Sequence, residues 1–330
     1  MAGGQERVLR RRIRSVQSTK KITRAMELIA ASRIVRAQAR VAAARPYSEQ
    51  ITAVIGNLAS AGAGMSSPLL QPRETVATIA YVVITGDRGL AGAYNTNVIR
   101  AAERSMRAAR DRGLTARLVC VGKKAQSYFA FRGEPVDASF TGRSDQPRYE
   151  DAKEVADYVV ERFSEGDYDQ VELVYTQFLS AGTQRVVVRR FMPLDTEQLT
   201  AAAEGGPSAD YEYEPEPSAI LERLLPRYAE ARLFAAMLEA SASEHAARQR
   251  AMKSATDNAE ELITKLSRTM NRARQDSITT EIMEIVGGAE ALRAGKDGGV
   301  DLLLDRIGTS DYFPDRARAG TSPFPTGDAP

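Results

Sequence analysis

Between Ile84 and Asn95 the sequence reads ITGDRGLAGAYN, with Gly86, Gly89 and Gly92 at a strand-to-helix turn. Exposed backbone N–H groups in such a turn can cradle a phosphate. This one lacks the Lys-Ser/Thr of a P-loop and the spacing of a dinucleotide fingerprint, and no acidic ribose ligand follows at the usual distance. The lone histidine, His245, is followed by Ala246, Ala247 and Arg248, without a Cys or carboxylate set at metal-ligand spacing. It reads as a packing or helix-surface residue. Glu260 and Glu261 occupy adjacent helical positions and face different ways, and no Ser, Cys or Lys nucleophile pairs visibly with a general base. The single cysteine, Cys120, lies in an apolar run and reads as a small buried hydrophobe. No catalytic apparatus, metal site or cofactor is expected.

The elements that would position these residues fall into two kinds. From Gln5 to about Ser60 the chain has no Gly before Gly56 and no Pro before Pro46, and it is rich in strong helix formers. Leu9, Ile13, Val16, Ile22, Met26, Ile29, Ile34, Ala37 and Val41 recur at spacings that predict a narrow apolar stripe, suited to one partner helix. A second glycine-free run lies between Gly206 and Gly287, with Pro226 able to open a helix at its first turn and carry it to about Leu292. There Met252, Ala255, Ala259, Leu262, Leu266 and Ala273 follow a coiled-coil pattern that Ile278, Ile282, Ile285 and Ala289 extend. At the usual rise per residue these helices would be ~85 and ~100 Å long, too long for a compact domain of this size. An antiparallel coiled coil projecting from a globular body is the arrangement expected.

Between the helices the period changes. Strands are predicted at Val76–Ile84, Ala116–Val121, Val136–Phe140, Gln170–Thr176 and Arg185–Phe191, with helices at Asn95–Arg110, Lys123–Phe131 and Tyr149–Phe163. The alternation predicts an α/β, Rossmann-like domain of about five strands, the last two pairing as a hairpin through residues 179–183. The expected organisation is a stalk helix at 1–60, an α/β domain at 75–192, an acidic loop at 193–217, a second stalk helix at 218–292 and a tail at 293–330.

Net charge is +2 over 330 residues, but residues 1–45 hold twelve Lys/Arg against Glu6 and Glu27. That segregation needs a reason. No stretch approaches the roughly 20 apolar residues of a membrane span, and no apolar signal core follows the basic N-terminus. A basic coiled-coil nucleic-acid-binding protein is one reading of the cationic helix. Against it, the cations lie all round the rod without stacking aromatics. An enzyme built on the α/β body is a third reading.

Four stretches carry a resemblance. RIRSVQSTKKITRAMELIAASR at 12–33, GDRGLAGAYN at 86–95, SEHAARQRAMKSATDNA at 243–259 and NRARQDSITTEIMEIVGGAEAL at 271–292 resemble, in order, the signatures of F-type ATP synthase gamma subunits. The likeness covers residues 3–292 and departs at Ala91, where many relatives have Cys. It implies a non-catalytic rotor shaft without a cofactor. The paired helices would stand inside a ring of alpha and beta subunits, and the body beside epsilon and on the membrane c-ring. It implies peripheral placement at the cytoplasmic face of a bacterial cell membrane, proton-driven ATP synthesis by the complex, and no nucleic acid. By the same resemblance Arg274 and Gln275 would hydrogen-bond a loop of beta. Arg33 and Arg88 would meet an acidic lever of beta, and Met26, Thr279 and Glu281 would lie at coupling contacts.

Overall fold

The computed structural model describes residues 2–60, 67–194 and 214–296. Its elements are α1 (Ala2–Ser60), β1 (Thr78–Ile84), α2 (Tyr94–Asp111), β2 (Thr115–Val121), α3 (Lys123–Phe131), β3 (Ala138–Phe140), α4 (Tyr149–Glu165), β4 (Gln170–Phe178), β5 (Gln184–Met192) and α5 (Pro217–Lys296). Among the described residues, those from Val16 to Leu262 form one compact unit, and those before Val16 together with those after Leu262 form another. Most of the acidic loop and nearly all of the expected tail lie outside the described residues.

In the larger unit the five strands form one sheet in the order β3-β2-β1-β4-β5. The first four run parallel, while β4 and β5 pair as the expected antiparallel hairpin. Side chains on a strand alternate between faces, and β1 uses both. Ile79, Tyr81 and Val83 pack with Val98, Ala102 and Met106 of α2 and Phe129 of α3. Ala80, Val82 and Ile84 pack with Val155, Val159 and Phe163 of α4, Ile55 and Leu58 of α1, and Leu225, Leu233 and Ala236 of α5. A strand covered twice needs no polar residue, which is why TIAYVVI reads as an unbroken apolar run. Cys120 lies in this core with its thiol pushed up to about 12 by burial, so it stays protonated and packs as a hydrophobe.

The segment of α5 over the sheet, residues 228–248, is buried almost all round: Ala229, Leu233, Ala236, Met237 and Ala240 enter the apolar core, while Glu230, Ser241, Ser243, Glu244, His245 and Arg248 are buried polar residues that need partners. Contrary to the expectation that Pro226 opens this helix, α5 begins at Pro217 and carries Pro226 inside it. The missing N–H frees the carbonyl of Glu222, an exposed position where water can satisfy it. Burial of Leu221, Leu225, Ala229 and Leu233 offsets a penalty of ~3 kcal/mol.

The two long helices meet antiparallel in this unit. The Thr23 and Thr256 hydroxyls bond at 2.8 Å, and the Lys20 ammonium lies 2.9 Å from the Glu260 carboxylate. The expected stripe is corrected here: Ile22 and Ile29 are 59% and 54% exposed. The seam keeps Ile34 and Ala37 of that stripe and otherwise uses Thr23, Glu27 and Ala30, all five buried, in a strict four-three alternation. Small and hydrogen-bonded residues at Thr23 and Ala30 fit a close helix pair, whereas the larger Ile22 and Ile29 face outward. On α5, Met252, Thr256 and Ala259 are buried, while Leu262 is 38% exposed and so leaves the seam.

In the smaller unit, Ile13 and Leu266 are each 9% exposed, and Ile263, Met270, Ala273 and Ser277 are half-buried. Ala2–Ser15 supplies 14 helical residues against 34 in Ile263–Lys296, so about 20 residues of α5 outrun α1. The continuation of the apolar seam through Ile278, Ile282, Ile285 and Ala289 is therefore not realised: all four are exposed.

Two glycines test the close approach of β1 to α3. A Cβ at Gly122, whose φ is +102°, would lie 2.1 Å from the Thr85 carbonyl oxygen, whereas one at Gly113, with φ +80°, would meet nothing within 4 Å. Gly113→Ala carries only the left-handed backbone penalty of about 1–2 kcal/mol. Gly122→Ala adds a backbone clash, and chemical denaturation is expected to show a loss of more than ~3 kcal/mol or no folded protein.

Candidate functional site

Within the larger unit the glycine turn, the loop at 142–147, α1 and α5 converge on a polar junction. A Cβ at Gly86 would lie 2.8 Å from the carboxyl carbon of Glu244, so the turn carries glycine because a buried carboxylate occupies that space. The turn satisfies its own polar groups. Gly86 N donates to Asn95 Oδ1 at 2.8 Å, and Ala125 N donates to Thr85 Oγ1 at 3.0 Å. The Asp87 carboxylate accepts backbone N–H bonds from Lys123 and Gly142 at 2.9 Å and from Ser144 at 3.0 Å. Burial pushes that carboxyl up, but those donors more than offset it and hold it below its ordinary value. The N–H groups that a phosphate would need at 86–87 are spent on Asn95 and on the Ser144 hydroxyl.

From α5, Arg248 forms a buried pair with Glu244 one turn before it and donates to the Gly89 carbonyl at 3.3 Å. Burial pushes the Glu244 carboxyl up, and Arg248 pulls it partly back. His245 is 2% exposed, with Nε2 3.2 Å from the Asp145 carbonyl oxygen and Nδ1 3.4 Å from Arg248 Nη1. A carbonyl only accepts and a guanidinium only donates, so the neutral Nε2–H tautomer fits both contacts. Burial lowers the His245 pKa in the same sense. Ser241 Oγ donates to the same carbonyl at 3.0 Å.

From α1, Arg33 Nη1 lies 2.5 Å from both carboxylate oxygens of Asp145, and Arg40 donates to the Pro147 carbonyl. Arg33 and Asp145 are each about 30% exposed in their side chains, so the pair contributes on the order of 1 kcal/mol. Its larger effect is positional. Asp145 is tied to α1 by Arg33 and to α5 by His245 and Ser241, and its neighbour Ser144 is tied to the turn by Asp87.

The ATP synthase family profile matches residues 5–292. Proteins named ATP synthase gamma chain match at 53% identity in Parafrankia sp. (strain EAN1pec), over 88% of this chain and 99% of that one. The corresponding protein of Mycolicibacterium smegmatis is 48% identical over 88% and 98%. The chain belongs to the ATP synthase gamma-chain family. Among solved structures, the central stalk and c-ring of Tetrahymena thermophila mitochondrial ATP synthase contains a chain with TM-score 0.54 and 26% identity, covering 71% of this chain and 99% of that one. A chain of Euglena gracilis mitochondrial ATP synthase shares the fold at TM-score 0.64 and 20% identity, covering 91% and 98%.

Of the residues expected at gamma-family contacts, the junction gathers two. Arg33 is engaged by Asp145, whereas Arg88 is exposed and makes no side-chain hydrogen bond or ion pair among the described residues. Met26 is half-buried on α1 between the seam residues Thr23 and Ala30. The other four lie in the smaller unit, all exposed on α5. There Thr279 Oγ1 donates to the Gln275 carbonyl at 3.0 Å and Ser277 Oγ to Glu281 at 3.5 Å. Arg274 makes no side-chain contact of either kind among the described residues. Sequence reasoning missed Asp145, Asp87, Glu244 and Arg248. Only the four-residue spacing of Glu244 and Arg248 offered a signal.

Removing one member of a buried ion pair strands the other. Arg248→Met is expected to lower unfolding free energy by ~3–5 kcal/mol, and the double variant Glu244→Gln with Arg248→Met by clearly less, as urea denaturation would read. His245 supplies a pH test. A lowered folded-state pKa means that its contribution is complete above the unfolded value of about 6.5 and is lost as pH falls towards the folded one. Glu244, shifted upward, gains stability on acidification, the opposite sign. The wild type should therefore lose more of its thermal midpoint between about pH 7 and pH 5 than His245→Gln, in which only the histidine contribution is gone.

Proposed function

We propose that the chain is the central rotor stalk of an F-type ATP synthase, a non-catalytic subunit carrying rotation between a proton-driven membrane c-ring and a catalytic head of alpha and beta subunits. The observation that carries this reading, beyond family membership, is the bare end of α5. Ile278, Ile282, Met283, Ile285, Val286 and Leu292 are 45–76% exposed on consecutive turns, an apolar surface of the kind that marks an interaction site. A socket in the alpha and beta head covers that surface and leaves the shaft free to turn.

Rotation then acts through differential contact. An asymmetric shaft meets each beta subunit with a different face, so turning it changes which conformation each one favours. Arg274 offers a planar fork for a carboxylate of a beta loop, with Gln275 beside it. In the larger unit, Arg88 is free to meet an acidic lever of beta, whereas Arg33 must exchange Asp145 for the partner's carboxylate. Among the α1 cations Arg11, Arg12, Arg14 and Lys21 are exposed without an ion pair among the described residues, which extends a positive surface for acidic partners. The body would rest on the c-ring beside epsilon, at the cytoplasmic face of the cell membrane.

Purification through a tag on this chain from gently solubilised membranes should recover alpha and beta in about threefold excess over it, together with ATPase activity. Recovery of nucleic acid, or of the chain alone, overturns the reading. The double variant Arg274→Ala with Gln275→Ala should lower ATP synthesis several-fold while stability stays within ~0.5 kcal/mol, because both side chains are exposed. Unchanged synthesis and hydrolysis rates would remove these two residues from the coupling contact.

A further inference from the structure

The carboxyl edge of the sheet holds a feature that rotor function does not use. The strand order places β2 on one side of β1 and β4 on the other, so β1 and β4 flank a topological switch point. Open α/β sheets leave a ligand crevice at that position. Here a cavity of about 470 Å³ opens, lined among others by Gly92, Ala93 and Tyr94 at the start of α2, Thr176 of β4, Gln184 of β5 and Arg250 of α5. Its volume falls within the range of small-molecule sites, ~300–1,000 Å³.

Four observations give the charge of its occupant. α2 is 18 residues long, and its N-cap, Ala93, makes no side-chain cap, with no acid in the first turn, so the positive end of the helix dipole faces the cavity uncompensated. Thr176 is 5% exposed, yet its hydroxyl has no hydrogen-bond partner among the described residues. Arg250 donates to the Ala181 carbonyl at 2.8 Å and to Gln184 Oε1, both neutral acceptors, and it makes no ion pair among the described residues. None of the lining residues is acidic, and Glu244, the carboxylate that acts on Tyr94, is already paired with Arg248.

The geometry points to a binding site for a small phosphate-bearing anion, held by the α2 N-terminus, the Thr176 hydroxyl and Arg250. This site is distinct from the turn at 86–87, whose N–H groups are already bonded.

The test is isothermal titration of the full-length chain with inorganic phosphate and with pyrophosphate at constant ionic strength. Saturable one-site binding of either anion is expected, weakened about tenfold or more by Arg250→Gln and by Ala93→Asp. The aspartate places a resident carboxylate at the N-cap, a position it favours, so the thermal midpoint of that variant should hold or rise while binding is lost. Thr176→Val should weaken binding without changing its stoichiometry. No saturable binding of either anion up to roughly 10 mM overturns the proposal. So does binding that survives unchanged in both charge variants, which would place the anion on the cationic face of α1.

Discussion

Glu244 is a carboxylate with 2% of its side chain exposed, and much of the larger unit is arranged around keeping it there. A buried charge is tolerated only with a partner and hydrogen bonds. Arg248 provides the partner from one turn along α5, and that guanidinium reaches the glycine turn as well. The turn yields at Gly86, where any side chain would collide with the carboxylate. Helix, turn and sheet edge are thus fixed to one another by a single desolvated pair. The surrounding bonds of Asp87, Asn95 and Asp145 follow from the geometry it imposes.

This arrangement bears on torque. A coiled coil set on a body by apolar contact alone could slip round its axis, since hydrophobic burial has little directionality. Hydrogen bonds and ion pairs are directional. At this junction they tie α1 through Arg33 and Arg40, α5 through Ser241, His245 and Arg248, and the sheet through Asp87 and Thr85. The buried part of α5 adds its apolar face to the sheet, so both kinds of force act on the same few turns of helix.

The α/β body was legible in the sequence because its strands are buried on both faces and its turns are marked by glycine. TIAYVVI and TARLVCV could be little else. The long helices were equally plain from their long runs without Gly and with a single internal Pro each, Pro46 and Pro226. The seam between them was not. Hydrophobicity pointed to Ile22 and Ile29, while the close helix pair selected Thr23, Ala30 and a salt-bridged Glu27, which no apolar count would rank. Pro226 misled for a related reason: tertiary burial outweighed a local penalty. The family resemblance drew attention to Arg33 and Arg88, but the loop residue Asp145 that engages Arg33 carries no periodicity and no motif. Its role exists only in three dimensions.

The hydroxyl pair of Thr23 and Thr256 has a mechanical corollary. In a seam made only of aliphatic side chains, a shift of one heptad replaces like with like. Here such a shift would place each hydroxyl against carbon and forfeit their mutual bond, and it would also part Lys20 from Glu260. The two helices are therefore keyed along their length as well as round it. The same hydroxyl bond that fixes the rotational setting of the two helices thus also opposes their sliding past one another, and the helix pair behaves as a splined axle rather than a smooth one.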